Sequence, residues 1–270
     1  MPAVSKVSRE FYVANQAYAH ELEAIEPAAY ERYVDALAAS AARGRVLDVG
    51  CGTGTAVGML RARGCDAHGC DVSPEFIGRA AARTGDGFAL IGADGALPYA
   101  DASFDAVGSC NVLEHVETPS AFLDELNRVL RPGGSLVLAT PNMLSLTWPR
   151  PRLGIANLWR IRMLNAMLLA RRALAARPTH EFVTIECRLD MADFQPDYDA
   201  ICLTNYFDVR RALLARDLSL RSFTATQRVH RGIGGHLLDA VFASPLGWLL
   251  GAVFVVACKP MAAAHGPRSA

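Results

Sequence analysis

Apolar and polar positions alternate along this chain in two rhythms, short β-branched runs and longer stretches with helical spacing, and the two take turns. The run Arg45 to Val49 predicts a strand, Gly50 to Gly54 a glycine-rich turn, and Thr55 to Arg63 a helix. The order repeats with a strand at Ala67 to Cys70, a helix at Pro74 to Arg83 and a strand at Gly87 to Ile91. It continues with a strand at Phe104 to Ser109, a helix at Ser120 to Leu130, a Pro132-Gly133-Gly134 stop and a strand at Ser135 to Thr140. Before this series, Phe11 to Ala42 reads as two alanine-rich helices broken near Pro27. After it, helices are expected at Ile155 to Ala176 and Asp208 to Arg216, and strands at Ser219 to Ala225 and Ala252 to Cys258.

Strands alternating with helices through short connections predict an α/β fold: a doubly wound, mostly parallel seven-stranded sheet with helices on both faces. Ligands of such sheets bind beyond the carboxyl ends of the strands, where the strand order reverses. The expected organisation is an N-terminal helical extension or cap over 1–42 and a catalytic domain over 43–260. A helical basic insertion occupies 143–180 after strand five, and 261–270 forms a flexible tail.

Charge changes this picture only locally. Lysine plus arginine equal aspartate plus glutamate at 27 each, so no global field draws the chain to nucleic acid. Leu126 to His180, however, holds no acid and nine arginines, among them Arg128, Arg160, Arg162, Arg171 and Arg172. Seven cysteines without a Cys-x-x-Cys pair fit buried thiols in a reducing compartment. Met1 to Tyr12 carries Lys6, Arg9 and Glu10 with no apolar run, and the expected location is the cytoplasm. The uncharged stretch Ala240 to Cys258 reaches the lower length limit for a membrane span, but Ser244, Pro245 and Gly247 interrupt it and its end suits a buried strand.

The chemistry concentrates in Val46-Leu47-Asp48-Val49-Gly50-Cys51-Gly52-Thr53-Gly54. Alternate glycines let a backbone approach its ligand closely. A dinucleotide fingerprint needs a further glycine where Thr55 stands. Asp48 would repel a pyrophosphate yet can order an ammonium group, which favours a ligand with an amino-acid end. Asp71 closes the second strand, where a carboxylate can accept from both ribose hydroxyls. Asp94, in Gly92-Ala93-Asp94-Gly95-Ala96-Leu97-Pro98, can accept from an exocyclic adenine amine while Ala96 or Leu97 packs on the base.

From about Arg43 to Asn142 the chain resembles the class I S-adenosylmethionine-dependent methyltransferases. The motifs are VLDVGCGTG at Val46 to Gly54, Asp71, GADGALPYADASFDAV at Gly92 to Val107, NVLEHV at Asn111 to Val116 and RVLRPGG at Arg128 to Gly134. Thr140-Pro141-Asn142 is similar to the branch of quinone, sugar and lipid methyltransferases. The resemblance implies S-adenosyl-L-methionine as cofactor, with Asp48, Gly50, Cys51, Gly52 and Gly54 at its methionine side. It implies Asp71 and Val72 at the ribose, Asp94, Gly95 and Ala96 at the adenine, and Asn111 beside the sulfonium.

The end of the fourth strand, Ser109-Cys110-Asn111-Val112-Leu113, lacks the Asn-Pro-Pro-aromatic quartet of base-amine methylation and the Pro-Cys nucleophile of cytosine methylation. It also lacks the aspartate of a catechol-type magnesium site, so no metal is expected. His115, just past that strand and titrating near neutral pH, is the candidate base for a hydroxyl acceptor, and O-methylation is the expected reaction. His180 and Glu181 are second candidates, while Asp190, Asp193, Asp197 and Asp199 read as a solvated loop.

The expected partner is a small-molecule or lipid-like acceptor. Leu158, Trp159, Met163, Leu164, Met167 and Leu168 would cover its pocket, and the neighbouring arginines would give peripheral contact with an anionic membrane. Arg162 falls opposite Arg160 and Arg171, so that part of the helix must pack on protein. DNA is not expected. An RNA-directed methyltransferase would use the basic segment as its grip but has only Trp148 and Trp159 for stacking. Three further classes could use a fold of this kind: a non-catalytic S-adenosylmethionine-binding protein, an aminopropyl transferase and a nicotinamide oxidoreductase. Thr55, which breaks the dinucleotide fingerprint, disfavours the oxidoreductase.

Overall fold

The computed structural model describes residues 5–6, 9–14, 22–146, 155–174, 182–186, 188–189, 199–230 and 232–261. Seven strands form one sheet: β1 (Arg45–Val49), β2 (Asp66–Asp71), β3 (Phe88–Leu90), β4 (Phe104–Cys110), β5 (Leu130–Thr140), β6 (Ser219–Thr224) and β7 (Val253–Cys258). Their order is β3-β2-β1-β4-β5-β7-β6. The first five run parallel, and β7 lies antiparallel between β5 and β6. The order reverses between β1 and β4, so the loops leaving these two strands flank the crevice where such sheets bind ligands.

Among the described residues, eight α-helices accompany the strands: α1 (Arg9–Ala14), α2 (Glu31–Ala41), α3 (Thr55–Ala62), α4 (Pro74–Thr84), α5 (Pro119–Val129), α6 (Ile155–Leu174), α7 (Tyr206–Leu214) and α8 (Gly232–Ala243). Side chains alternate across a strand, so neighbours in β1 serve opposite cores. Leu47 and Val49 pack with Leu136, Leu138, Leu123 and Leu126 of α5 and Leu213 of α7. Val46 packs with Val137 and Phe254, with Tyr33 and Leu37 of α2, and with Val57 and Leu60 of α3. Helix α2 is thus part of the layer that covers the sheet.

One expectation changes. The Pro132-Gly133-Gly134 stop lies inside β5, because the pairing with β4 slips between Phe104 and Ala106. Proline loses nothing at such an irregularity, where it need not donate, and Gly133 takes φ +78° with its N–H on the Lys259 carbonyl at 3.0 Å. The uncharged stretch from Ala240 is divided among the end of α8, a turn at Pro245–Leu249 and β7. No helix among the described residues is long and apolar enough to cross a membrane.

Candidate active site

The carboxyl ends of β1, β2 and β4 stand side by side through the pairs Val49↔Cys70 and Asp48↔Gly108. From β1 comes Asp48, only 3% exposed, whose Oδ1 accepts from the Tyr33 hydroxyl at 2.5 Å. Burial pushes its carboxyl up to about 7; the Tyr33 hydrogen bond opposes this and nearby Asp71 adds to it. The glycine loop then turns sharply, with the N–H groups of Gly50 and Cys51 both donating to the Cys70 carbonyl at 2.8 and 3.1 Å. Gly50 has φ +76°, and a Cβ there would run into the Val112 side chain after β4. At Gly52, φ +51°, the only neighbour among the described residues that such an atom would meet within 4 Å is Leu22, at 3.1 Å.

Asp71 joins this loop to β2. Its Oδ2 accepts from Gly52 N–H at 2.9 Å and its Oδ1 from Ser73 N–H at 3.0 Å. Burial raises its pKa, while the N–H groups of Ser73, Gly52 and Val72 and the Arg9 guanidinium pull it back. An ionised carboxylate has roughly four lone-pair sites, so these three N–H groups do not exhaust it. Val72 is half-buried against the core.

Beyond β3, Asp94 Oδ1 accepts from Ala96 N–H at 3.0 Å, and Gly95 (φ +82°) donates to the Gly92 carbonyl at 3.0 Å. Asp94, Gly95 and Ala96 therefore form one exposed turn. This turn adjoins Asp71, since Ile91 N–H donates to the Asp71 carbonyl at 2.9 Å. Leu97 is corrected: it is buried in the core and cannot pack on a base, which leaves Ala96.

Asn111 follows β4 with φ +55° and an exposed side chain. Its amide pairs head to tail with Gln227: Asn111 Nδ2 donates to Gln227 Oε1 at 3.3 Å, and Gln227 Nε2 donates back to Oδ1 at 2.8 Å. Sequence reasoning missed Gln227, and nothing in its surroundings, Thr226-Gln227-Arg228, marks it.

His115 ends a single turn at Leu113–His115. Its Nδ1 lies 3.5 Å from Asp199 Oδ2, its Nε2 lies 3.8 Å from Glu114 Oε1, and the Tyr12 ring meets it edge-on at 5.6 Å. Glu114, fully buried, accepts from the Thr140 hydroxyl at 2.9 Å. Asp199 is a correction, for it is 1% exposed and accepts from the Tyr12 hydroxyl at 2.9 Å instead of lying in solvent. His180, Glu181, Asp190, Asp193 and Asp197 lie outside the described residues. Among the described residues, no group of three or more His, Cys, Asp or Glu is arranged to hold a metal ion.

The Methyltransferase domain family matches residues 47–138, the stretch that carries the glycine loop, Asp71, the Asp94 turn, Asn111 and His115. Over that stretch, about a third of the chain, the protein is similar to methyltransferase domains. The chain is 42% identical over 95 residues to a demethylmenaquinone methyltransferase of Beutenbergia cavernae, covering 35% of this chain and 40% of that one. It is 34% identical over 103 residues to a ubiquinone biosynthesis O-methyltransferase of Xylella fastidiosa, covering 36% and 42%. The chain thus spans about two fifths of the length of these curated relatives. Among solved structures, an S-adenosylmethionine-dependent methyltransferase from Mesorhizobium loti shares the fold at TM-score 0.55 and 17% identity, covering 88% of this chain and 100% of that one. Geranyl diphosphate C-methyltransferase from Streptomyces coelicolor does so at TM-score 0.52 and 15%, covering 96% and 92%.

The site carries a pH dependence of its own. Folding raises the Asp48 pKa from an unfolded value near 3.9 to about 7, so the fold prefers the protonated acid. Its contribution to stability is full below about 4 and is lost as pH rises through about 7. The melting temperature of the ligand-free protein is therefore expected to fall between pH 5 and pH 8, and Asp48→Asn should flatten this slope while keeping the Tyr33 acceptor. Parallel slopes in the two proteins would contradict the assignment.

Proposed function

We propose that this protein transfers a methyl group from S-adenosylmethionine to a hydroxyl of a small, lipid-like acceptor. The residues present suit that cofactor. Asp48 offers a buried carboxylate whose ionised form a cationic ligand would favour, Asp71 keeps acceptor capacity for a ribose hydroxyl, and the Asp94 turn exposes an acceptor and Ala96 together. The cofactor supplies a methyl group on cationic sulfur, whose departure leaves a neutral thioether, so the protein's task is alignment and removal of the acceptor's proton.

The observation that carries O-methylation is the pairing of His115 with Asp199 next to the end of β4. With Nδ1 turned to Asp199, Nε2 takes the acceptor proton, and the two flanking carboxylates stabilise the imidazolium. The relatives named for demethylmenaquinone and ubiquinone methylation support an aromatic, lipid-linked acceptor. In a screen of hydroxylated quinols with methyl-labelled cofactor, His115→Ala is expected to lower kcat about 100-fold or more and leave the cofactor Kd within about threefold. An unchanged pH-rate profile in that variant would remove His115 from the chemistry.

A second reading, contact with an anionic membrane surface, rests on α6. Of its described side chains, Arg162 and Asn165 are 9% and 1% exposed, whereas Trp159, Met163, Met167 and Leu174 are 52%, 70%, 51% and 88% exposed. Asn165 receives a hydrogen bond from Asn205 at 3.1 Å, which holds the polar face inward. The outward face combines apolar side chains with exposed Arg160 and Arg171 and has no acid, as helices lying in a membrane interface do. Each basic residue near such a surface contributes about 1 kcal/mol. Co-sedimentation with vesicles containing anionic lipid is expected, and Arg160→Glu with Arg171→Glu should reduce it at least about tenfold. Equal failure on anionic and neutral vesicles would sink this reading.

A further inference from the structure

We propose that Tyr12 and Asp199 are positioning residues for His115, and that α1 couples them to the cofactor end of the sheet through Arg9. The proposal rests on the methyl-transfer reading of the site.

Helix α1, over Arg9–Ala14, is tied down by contacts to two distant parts of the chain. Arg9 and Tyr12 stand three residues apart and therefore share a face. At one end of that face, Arg9 Nη2 donates to the Ile91 carbonyl at 2.6 Å. Ile91 leads directly into the Gly92–Ala96 turn, and its own N–H is held by the Asp71 carbonyl. At the other end, the Tyr12 hydroxyl donates to Asp199 Oδ2 at 2.9 Å, and the ring lies edge-on to His115.

Asp199 Oδ2 is thus shared. It accepts from the Tyr12 hydroxyl and also faces His115 Nδ1 at 3.5 Å, with the Asp199 main-chain carbonyl 3.4 Å from the same nitrogen. A hydroxyl donated to a carboxylate oxygen spreads its charge and weakens its pull on a neighbouring imidazole. Tyr12 consequently tempers the basicity that Asp199 confers, while its ring limits how His115 turns. Among the described residues, the charged and titratable groups facing His115 are Asp199, Glu114 and Tyr12, drawn from three separate parts of the chain. A ligand that shifts the turn after β3 moves the strand end on which Arg9 rests, and one helical turn carries that displacement to Tyr12.

The test uses the full chain with nitrogen-15-labelled histidine, following the His115 ring by NMR through a pH titration with and without S-adenosylhomocysteine. His115→Gln assigns the resonance. Asp199→Asn is expected to lower the midpoint by at least about one pH unit, and Tyr12→Phe, which preserves the ring, to raise it. S-adenosylhomocysteine should shift the midpoint in the wild type and not in Arg9→Ala, with its Kd within about threefold in the Tyr12 and Asp199 variants. One midpoint common to wild type, Tyr12→Phe and Asp199→Asn, in proteins that still bind S-adenosylhomocysteine, would overturn the positioning role alone. A ligand-induced shift that persists in Arg9→Ala would overturn the coupling. Failure of the wild type to bind S-adenosylhomocysteine would overturn the methyl-transfer reading and the coupling with it.

Discussion

Replacing Asp71 by alanine is expected to weaken S-adenosylhomocysteine binding by at least about 100-fold, measured by calorimetry on the purified chain. Two effects combine. The carboxylate accepts from Gly52 N–H and Ser73 N–H, so its loss removes one tie of the loop to β2 and leaves those of Gly50 and Cys51 to the Cys70 carbonyl. Its remaining lone pairs are those proposed for the ribose, and a hydrogen bond to a charged group contributes roughly 1.5–3 kcal/mol. One such bond together with the loosened loop corresponds to roughly 100-fold or more in Kd. A melting curve separates lost binding from lost folding. Affinity within about threefold of wild type, in a folded variant, would show that Asp71 serves the loop and not the ligand.

Gly108→Ala is expected to destabilise the protein by about 2–4 kcal/mol, through overpacking and a disturbed buried hydrogen bond. Gly108 lies in β4, and an alanine Cβ there would overlap the Tyr33 hydroxyl and come within 2.7 Å of Leu37 Cδ1. Both belong to α2, so accommodation means lifting that helix from the sheet and pulling Tyr33 away from Asp48. Gly78→Ala in α4 is the control, because, its chain neighbours and the nearby backbone of its own helix aside, no described atom lies within 4 Å of its added Cβ. That change removes a flexible residue from an exposed helix and should stabilise by about 0.5–1 kcal/mol. Chemical denaturation of both variants gives the comparison, and equal signs would refute it.

Much of the fold was legible because its signals are local. Each strand of the parallel part, with the glycine turn after β1, is written within a few consecutive residues, and strand ends bring Asp48, Asp71 and Asn111 to one edge once the sheet is assumed. Arg162 was also readable as inward, since helical geometry alone sets it opposite Arg160. What escaped depends on partners far apart in the chain. Asn111 and Gln227 are 116 positions apart, and Tyr12 and Asp199 are 187 apart. Periodicity carries no record of such meetings, so Asp199 looked like any acid in a polar loop. The proline and glycines of β5 were misplaced for a related reason: they punctuate a strand only when its neighbour cannot slip to accommodate them.

The place of β7 bears on how the protein is made. It is the last of the seven strands in chain order, yet it is seated between β5 and β6 instead of at an edge. Until Val253–Cys258 has been synthesised, β5 presents an open row of backbone groups and β6 has no neighbour in the sheet. A nascent chain can assemble β1 to β5 as it emerges, but the apolar β5 edge stays available to other chains throughout that time. Closure of the sheet is a late, long-range event, and substitutions in β7 should show themselves first as aggregation during synthesis.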